Sequence, residues 1–254
     1  SLIFGEYIIN KLILFQPNGQ PIRIDGPENH IIQKAGTPTM GGVLILSSIT
    51  ISLLLWADLS NKFIWICFFT SLIFGFIGFI DDYQKIKYQN HKGIKASTRL
   101  LFQIFFGLLI VYCIQILLPI NINSTLSFPF FKNLILDLGI FYYIIGTLVI
   151  VGSANAVNLT DGLDGLAIVP VMIVAMSFAF IAYFSGNIIF SNYLQINYIK
   201  DSGELMVFCG TVIGAALGFL WFNAPPAKVF MGDTGSLAMG GAIGSLAIIV
   251  KHEI

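Results

Sequence analysis

Two adjacent carboxylates, Asp81 and Asp82, end a long apolar run where it is expected to meet water. If the run is a helix, its C-terminal end carries partial negative charge and repels both aspartates. We therefore expect a positive group nearby, either a metal ion or Lys85, which stands at i,i+4 spacing from Asp81. Successive helix residues point about 100° apart, so different roles are expected for the two carboxylates. A solvated helix end with a surface ion pair is the alternative interpretation.

A second polar stretch, residues 155–166, has two asparagines, a threonine and two aspartates at the end of another apolar run. Its glycines allow backbone conformations that are closed to other residues. Asp164 can N-cap a helix that begins at Gly165. A polar turn with a good cap would explain these residues, but it would not explain Asn155 and Asn158.

Residues 223–236 and 36–42 form two further glycine-rich helix starts. Free N–H groups at a helix start attract anions, so Asp233 among them could hold a metal ion that bridges to a phosphate. A simple N-cap is the alternative for Asp233. Phe230 could stack on a planar ring, and Lys34 is a cation within reach of a phosphate or a base carbonyl. The alternative for residues 36–42 is close helix packing through small side chains.

Aspartates recur in these stretches, whereas the three histidines are isolated. Mg²⁺ takes one or two protein carboxylates and completes its coordination with water and substrate phosphates. The set therefore suits magnesium and a phosphate substrate better than zinc. Its members are Asp81, Asp82, Asp161, Asp164 and Asp233.

The elements that must position these groups are apolar runs. Of 254 residues, 56% are hydrophobic and 10% are charged, against about 25% charged in a soluble domain. A spanning helix needs about 20 mainly apolar residues. We predict an all-α fold, a polytopic transmembrane helical bundle, as a single domain over residues 1–254. The candidate spans are 40–57, 63–80, 100–118, 138–157, 165–184, 205–222 and 235–250, with the remnant of another at 2–15.

Charge gives the expected orientation. The loop after Asp82 is the most basic part of the chain, and basic loops lie in the cytoplasm. Alternating the spans then places residues 16–39, 81–99, 158–164 and 223–234 on the cytoplasmic face, together with nearly every residue that could do chemistry. The balance of 13 basic and 13 acidic residues gives no nucleic-acid footprint.

At these motifs the chain resembles the phospho-N-acetylmuramoyl-pentapeptide transferases, a branch of the polyprenyl-phosphate sugar-phosphate transferase superfamily. The paired aspartates and the Asn/Asp-rich loop occur across the superfamily, whereas the N-terminal motifs indicate this branch. The resemblance implies a fragment of a roughly ten-helix protein, truncated at both ends and lacking a C-terminal histidine-rich loop, so that the fragment itself could be inactive. The matching stretches are residues 25–28, 36–42, 78–83, 155–166 and 219–236.

The resemblance also implies an activity. Phospho-MurNAc-pentapeptide would pass from UDP-MurNAc-pentapeptide to undecaprenyl phosphate, releasing UMP and forming lipid I for cell-wall biogenesis, cell shape and cell division. The reaction would require Mg²⁺ at the cytoplasmic face of the bacterial inner membrane. A direct or a covalent mechanism, the lipid chain length and a homodimer are left open.

By matching motif position, Asp233 would ligate magnesium, and Asp81 and Asp82 would form the catalytic pair. Asp81 is the better candidate to deprotonate or position the lipid phosphate. Asn158 and Asp161 would support the metal–diphosphate region. The residues that would frame the uridine are Lys34, Gly162, Leu163, Asp164, Asn223 and Phe230, with Phe230 stacking on uracil.

Two alternatives from the residues are a sibling enzyme that moves GlcNAc-1-phosphate and an ion-coupled transporter. Acidic residues in a helical bundle often mark ion paths. Such sites lie near the bilayer midplane, whereas these acidic residues lie at or beyond the ends of the spans. A structural scaffold would leave their clustering on one face unexplained.

Overall fold

The computed structural model describes residues 1–17, 19, 36–89, 93–128, 131–162 and 165–253, with the backbone alone for residues 131–134. Within these ranges the chain is mostly helical, with one two-stranded sheet. Short 3₁₀ turns, Gly139–Phe141 and Ser202–Glu204, lead into two of the helices. The helices are α1 (Leu2–Phe15), α2 (Gly42–Trp56), α3 (Lys62–Tyr88), α4 (Ala96–Leu117), α5 (Tyr142–Thr160), α6 (Ile168–Ser185), α7 (Ile188–Leu194), α8 (Leu205–Asn223) and α9 (Gly232–Ile249).

Five of these helices are long and apolar enough to cross a membrane: α3, α4, α6, and α5 and α8 with their leading turns. The apolar helix α2 is shorter, at 15 residues. Large apolar side chains on the outer surface, such as Phe105, Leu148 and Trp221, are more than half exposed, as expected for contact with lipid. The predicted helical membrane bundle is confirmed.

Helix α9 lies at the centre and packs most extensively against α3 and α5. Every residue from Thr234 to Ile249 is buried. Small residues make this possible, because a Cβ at Gly240 would lie 2.4 Å from the Ser153 carbonyl oxygen and one at Gly244 would lie 2.7 Å from Ile150 Cα. A helix surrounded by other helices gains from close backbone approach, which small side chains permit.

Two predicted helix bounds are wrong. Helix α3 continues to Tyr88 and closes on Gln89 in a left-handed conformation, so Asp81 and Asp82 lie about two turns before the helix end. Their charges therefore do not face the exposed carbonyls of the last turn. Helix α6 begins at Ile168 with Ala167 as its N-cap, so the helix expected to begin at Gly165 starts one turn later.

The connector after α4 is more ordered than the sequence indicates. Strand β1 (Thr125–Phe128) pairs antiparallel with β2 (Phe131–Asp137), with Thr125 opposite Asp137 and Leu126 opposite Leu136. Short strands outside the membrane give a weak sequence signal. From the sequence we expect only an ordinary extracytoplasmic connector at residues 121–131.

A cluster of polar side chains lies just after the C-terminal end of α9. The buried Lys251 forms an ion pair with Glu253 at 3.1 Å and lies over the Tyr142 ring, 3.8 Å from its centroid. The Tyr142 hydroxyl donates a hydrogen bond to the same Glu253 carboxylate. Burial lowers the pKa of Lys251, and the charge of Glu253 opposes that shift. A buried charge needs such a partner, so this cluster fixes the far end of α9.

Candidate active site

Three carboxylates meet where α3 passes the first turn of α9. Asp81 and Asp82 are buried on α3, Asp233 lies on α9, and each offers an oxygen within 4.8 Å of the others. Gly78 allows this approach, since a Cβ there would lie 2.1 Å from the Asp233 carbonyl oxygen. The structure therefore brings together the three residues predicted as catalytic.

The Asp82 carboxylate caps helix α9. Its Oδ1 accepts a hydrogen bond from the Asp233 amide at 3.2 Å, and its Oδ2 accepts from the Thr234 amide at 2.9 Å and from the Thr234 hydroxyl at 2.7 Å. Gly232 has φ +72°, and a Cβ there would lie 2.6 Å from Asp82 Oδ2. A negative charge at a helix start is favourable. Because Asp82 supplies the cap, the Asp233 carboxylate is not used as one.

Asp81 lies under the loop that joins α3 to α4. Its Oδ1 accepts a hydrogen bond from the Ile94 amide at 2.8 Å, and its Oδ2 lies 2.6 Å from Lys85 Nζ. The i,i+4 pair expected from the sequence is therefore present. Gly93, at φ +56°, packs directly against the carboxylate. Because Asp81 is buried, its contact with Lys85 is not the surface ion pair of the alternative interpretation.

Asp233 is the most highly connected of the three. Lys85 Nζ lies 2.8 Å and Arg99 Nη1 lies 2.9 Å from its Oδ2, while Asn158 Nδ2 donates to its Oδ1 at 2.7 Å. Burial would raise the pKa of Asp233, but a side-chain hydrogen bond with Asp81, the Lys85 charge and the hydrogen bonds from Lys85 and Asn158 outweigh burial and lower it to about 2. Asp233 is therefore ionised at neutral pH.

Asn158, which the resemblance assigns to the metal–diphosphate region, lies beside Asp233. Its amide nitrogen also lies 2.9 Å from the Ser236 hydroxyl oxygen, which ties the last turn of α5 to the first turn of α9. Asp161 is the C-cap of α5, one turn further on, and Gly162 is exposed in the turn that follows. These two residues lie at the same end of the bundle as the carboxylates.

Asn223 and Phe230 organise the neighbouring loops. The buried Asn223 side chain accepts a hydrogen bond from the Gly165 amide and donates one to the Val229 carbonyl, both at 2.9 Å. The Phe230 amide donates to the Pro38 carbonyl at 2.9 Å. Of the predicted uridine-framing residues, Lys34, Leu163 and Asp164 lie outside the described residues.

The segment before α2 is held against the segment before α9 by its backbone. The Gly41 amide donates to the Phe230 carbonyl at 2.8 Å, and the Gly42 amide donates to the Met231 carbonyl at 2.9 Å. Gly42 and Gly235 are also in close contact, since a Cβ at Gly42 would lie 2.1 Å from the Gly235 amide nitrogen. The two glycine-rich helix starts seen in the sequence are therefore one structural unit.

Sequence reasoning missed Arg99. In the sequence Arg99 contributes only to the basic loop that sets the membrane orientation. In the structure its guanidinium contacts Asp233, which lies 134 residues further along the chain. The usable signal is a basic residue in the first turn of the helix that follows the paired aspartates. The sequence likewise indicates Thr234 and Ser236 only as parts of a helix start, whereas they contact Asp82 and Asn158.

The donor set fits a magnesium ion. Mg²⁺ binds through one or two carboxylates and leaves its other positions to water and phosphate. Here three carboxylates lie together at the end of the bundle, with no histidine or cysteine in the cluster among the described residues. Asp233 and Asp81 are the members that face the two cations, whereas Asp82 faces the helix backbone.

Comparison with known families agrees with this geometry. The model of glycosyl transferase family 4 matches residues 64–251, which is well over half of the chain. Residues 34–46 match the phospho-N-acetylmuramoyl-pentapeptide-transferase signature 1, and the middle of this segment is hydrogen-bonded to Phe230 and Met231. The chain therefore belongs to glycosyl transferase family 4 and carries the phospho-N-acetylmuramoyl-pentapeptide-transferase signature, which makes it a multi-pass membrane transferase of phospho-sugars in peptidoglycan synthesis.

Proposed function

We propose that the protein transfers phospho-MurNAc-pentapeptide from UDP-MurNAc-pentapeptide to undecaprenyl phosphate, releasing UMP and forming lipid I. The observation that carries this proposal is the signature at residues 34–46, whose middle is hydrogen-bonded to the segment that leads into Asp233. That segment links the family-specific motif to the carboxylate cluster. We place the site at the cytoplasmic face of the inner membrane, where the soluble nucleotide and the lipid phosphate meet.

In the proposed reaction an oxygen of the lipid phosphate attacks the β-phosphorus of the nucleotide. The new P–O bond forms as the bond to the α-phosphate breaks, and UMP leaves. Such a transfer depends mainly on positioning and on neutralising charge at the phosphates. Asp233, with Asp81 beside it, would hold Mg²⁺, which would supply positive charge to the diphosphate. Asp81 is the candidate to position the lipid phosphate or accept its proton.

The remaining contacts support this division of roles. Asn158 holds Asp233 Oδ1, and Asp82 fixes the first turn of α9 on which Asp233 stands. Lys85 and Arg99 supply positive charge next to the carboxylates. Electrostatic groups that are fixed before the reaction stabilise developing charge at no cost in reorganisation.

The test uses the purified protein in detergent with UDP-MurNAc-pentapeptide, undecaprenyl phosphate and Mg²⁺, and it follows UMP release. Asp233→Asn should lower the rate about 100-fold or more, because the change removes charge from the metal position. Asp58→Asn is the matched control, since Asp58 is an exposed aspartate outside the cluster. UMP release that survives in Asp233→Asn would exclude this role for Asp233. Turnover with UDP-GlcNAc alone would assign the chain to the sibling GlcNAc-1-phosphate activity.

A further inference from the structure

The carboxylates of the cluster already have partners within the protein. Each of the six carboxylate oxygens of Asp81, Asp82 and Asp233 has a hydrogen-bond donor or a cation within 3.2 Å. One of these oxygens, Asp233 Oδ2, is in contact with two cations, Lys85 and Arg99. A divalent cation that binds Asp233 Oδ2 therefore competes with the positive charges of Lys85 and Arg99.

The partners differ in how firmly they are held. Asn158 is fixed by a second contact with Ser236, and the donors to Asp82 belong to the α9 backbone and to Thr234. Lys85 bridges Asp81 and Asp233, at 2.6 and 2.8 Å. These contacts hold their donors at more than one point.

Arg99 is held less firmly than the other partners. Its contact with Asp233 is 2.9 Å, whereas its distance to Asp81 is 3.9 Å, and its side chain is 23% exposed. A guanidinium on a long side chain can turn from a carboxylate to a phosphate without moving its helix, and it binds both anions through the same donors. Arg99 is therefore the partner that can leave at the lowest cost.

We propose that Arg99 is a resident counter-cation that a divalent cation displaces from Asp233, and that the released guanidinium then pairs with the diphosphate of the nucleotide substrate. The inference rests on the proposed function, because it requires a metal ion and a diphosphate at this site. It assigns Arg99 two successive anionic partners. Before metal binds, Arg99 keeps the buried carboxylates neutralised, and afterwards it contacts the substrate.

The proposal predicts effects of opposite sign for Arg99→Gln. Without nucleotide, the variant should bind Mn²⁺ about tenfold more tightly than the unmodified protein, because a competing positive charge is gone. With saturating Mg²⁺, its affinity for UDP should fall about tenfold, because a charge-assisted contact to phosphate is lost. Electron paramagnetic resonance of free Mn²⁺ and equilibrium binding of UDP measure the two quantities.

Two control variants define these effects. Arg99→Lys keeps the charge and should leave the Mn²⁺ affinity within about twofold of the unmodified protein. Lys62→Gln makes the same change of charge at the other end of α3, on an exposed side chain, and should change neither affinity. Weaker binding of both Mn²⁺ and UDP in Arg99→Gln would show that Arg99 merely supports Asp233 and would overturn the proposal.

A second measurement needs no variant of Arg99. The chain has two arginines, Arg23 and Arg99. Modification by phenylglyoxal, read by mass spectrometry, should be faster at Arg99 when Mg²⁺ alone is added and slower again when UDP is also present. If the protein binds Mn²⁺ but the modification rate of Arg99 does not change with Mg²⁺, this inference alone is overturned. A protein that neither binds Mn²⁺ nor releases UMP would overturn the proposed function as well.

Discussion

At the scale of single residues, the paired aspartates have separate roles. Asp81 faces Lys85 and the loop amide of Ile94, whereas Asp82 faces the backbone of α9. Adjacent positions on one helix point in different directions, so the two carboxylates have different partners. Asp82 therefore contributes by fixing the position of Asp233.

The capping role of Asp82 leads to a prediction about stability. Asp82→Asn should lower the free energy of unfolding by about 1–3 kcal/mol. The asparagine side chain has only one oxygen, so it cannot accept all three hydrogen bonds that the Asp82 carboxylate accepts from two backbone amides and a hydroxyl. Thermal unfolding in detergent measures the change. Asp201→Asn should have little effect, because Asp201 is exposed and asparagine tolerates its left-handed backbone conformation. An Asp82→Asn protein that unfolds like the unmodified one but has no activity would instead assign Asp82 a direct role in the chemistry.

At the scale of the elements, the site depends on how closely α9 approaches α3 and α2. Gly78 of α3 lies against the backbone of Asp233, and Gly42 of α2 lies against Gly235. A helix start that carries a catalytic carboxylate has to be held to within a fraction of an ångström, and backbone contact through glycine gives that precision. The glycines in these helices are therefore part of the site.

Gly78→Ala tests this dependence. The new Cβ would lie 2.1 Å from the Asp233 carbonyl oxygen, so α9 must move away from α3, and such overpacking costs about 1–3 kcal/mol. UMP release should fall together with the unfolding temperature. Gly152→Ala, on α5, is the control, because its Cβ would meet nothing within 4 Å and alanine favours a helix. Full activity in Gly78→Ala would show that the α3–α9 distance does not set the site geometry.

At the scale of the whole molecule, the two ends of the bundle differ in their polar contacts. The carboxylate cluster, Asn223 and the Gly41 contacts lie at one end. The opposite end has the buried Lys251–Glu253 pair and a hydrogen bond from Asn61 to the Asp201 carbonyl. Helix α9 connects the two ends, with Asp233 in its first turn and Lys251 just after its last.

This division predicts the sidedness of labelling. In a protein with Cys113 replaced by serine, Ser97→Cys should react with a membrane-impermeant maleimide only after cells are permeabilised. Asn192→Cys should react in intact cells, because Asn192 follows an odd number of further crossings. Both positions are exposed, and the remaining cysteines, Cys67 and Cys209, are buried. Labelling of Ser97→Cys in intact cells would reverse the proposed orientation.

The sequence alone determined the membrane class and most of the helices. The predicted spans 205–222 and 100–118 agree closely with α8 and α4, and the predicted remnant 2–15 is α1. Long apolar runs are strong signals, since each must form its backbone hydrogen bonds internally in lipid. The sequence also singled out the three aspartates that the structure brings together, because acidic groups at span ends are costly without a partner or a function.

Only the tertiary structure decided how these groups divide their roles. That Asp82 caps α9, that α3 runs two turns past the aspartates, and that Arg99 reaches Asp233 all depend on how α3, α4 and α9 pack. Such contacts join residues far apart in the chain, and no local propensity or spacing records them. The physical reason is that hydrophobic patterns determine which segments become helices. A buried charge instead pairs with whichever group the packing of the helices brings within a few ångströms of it.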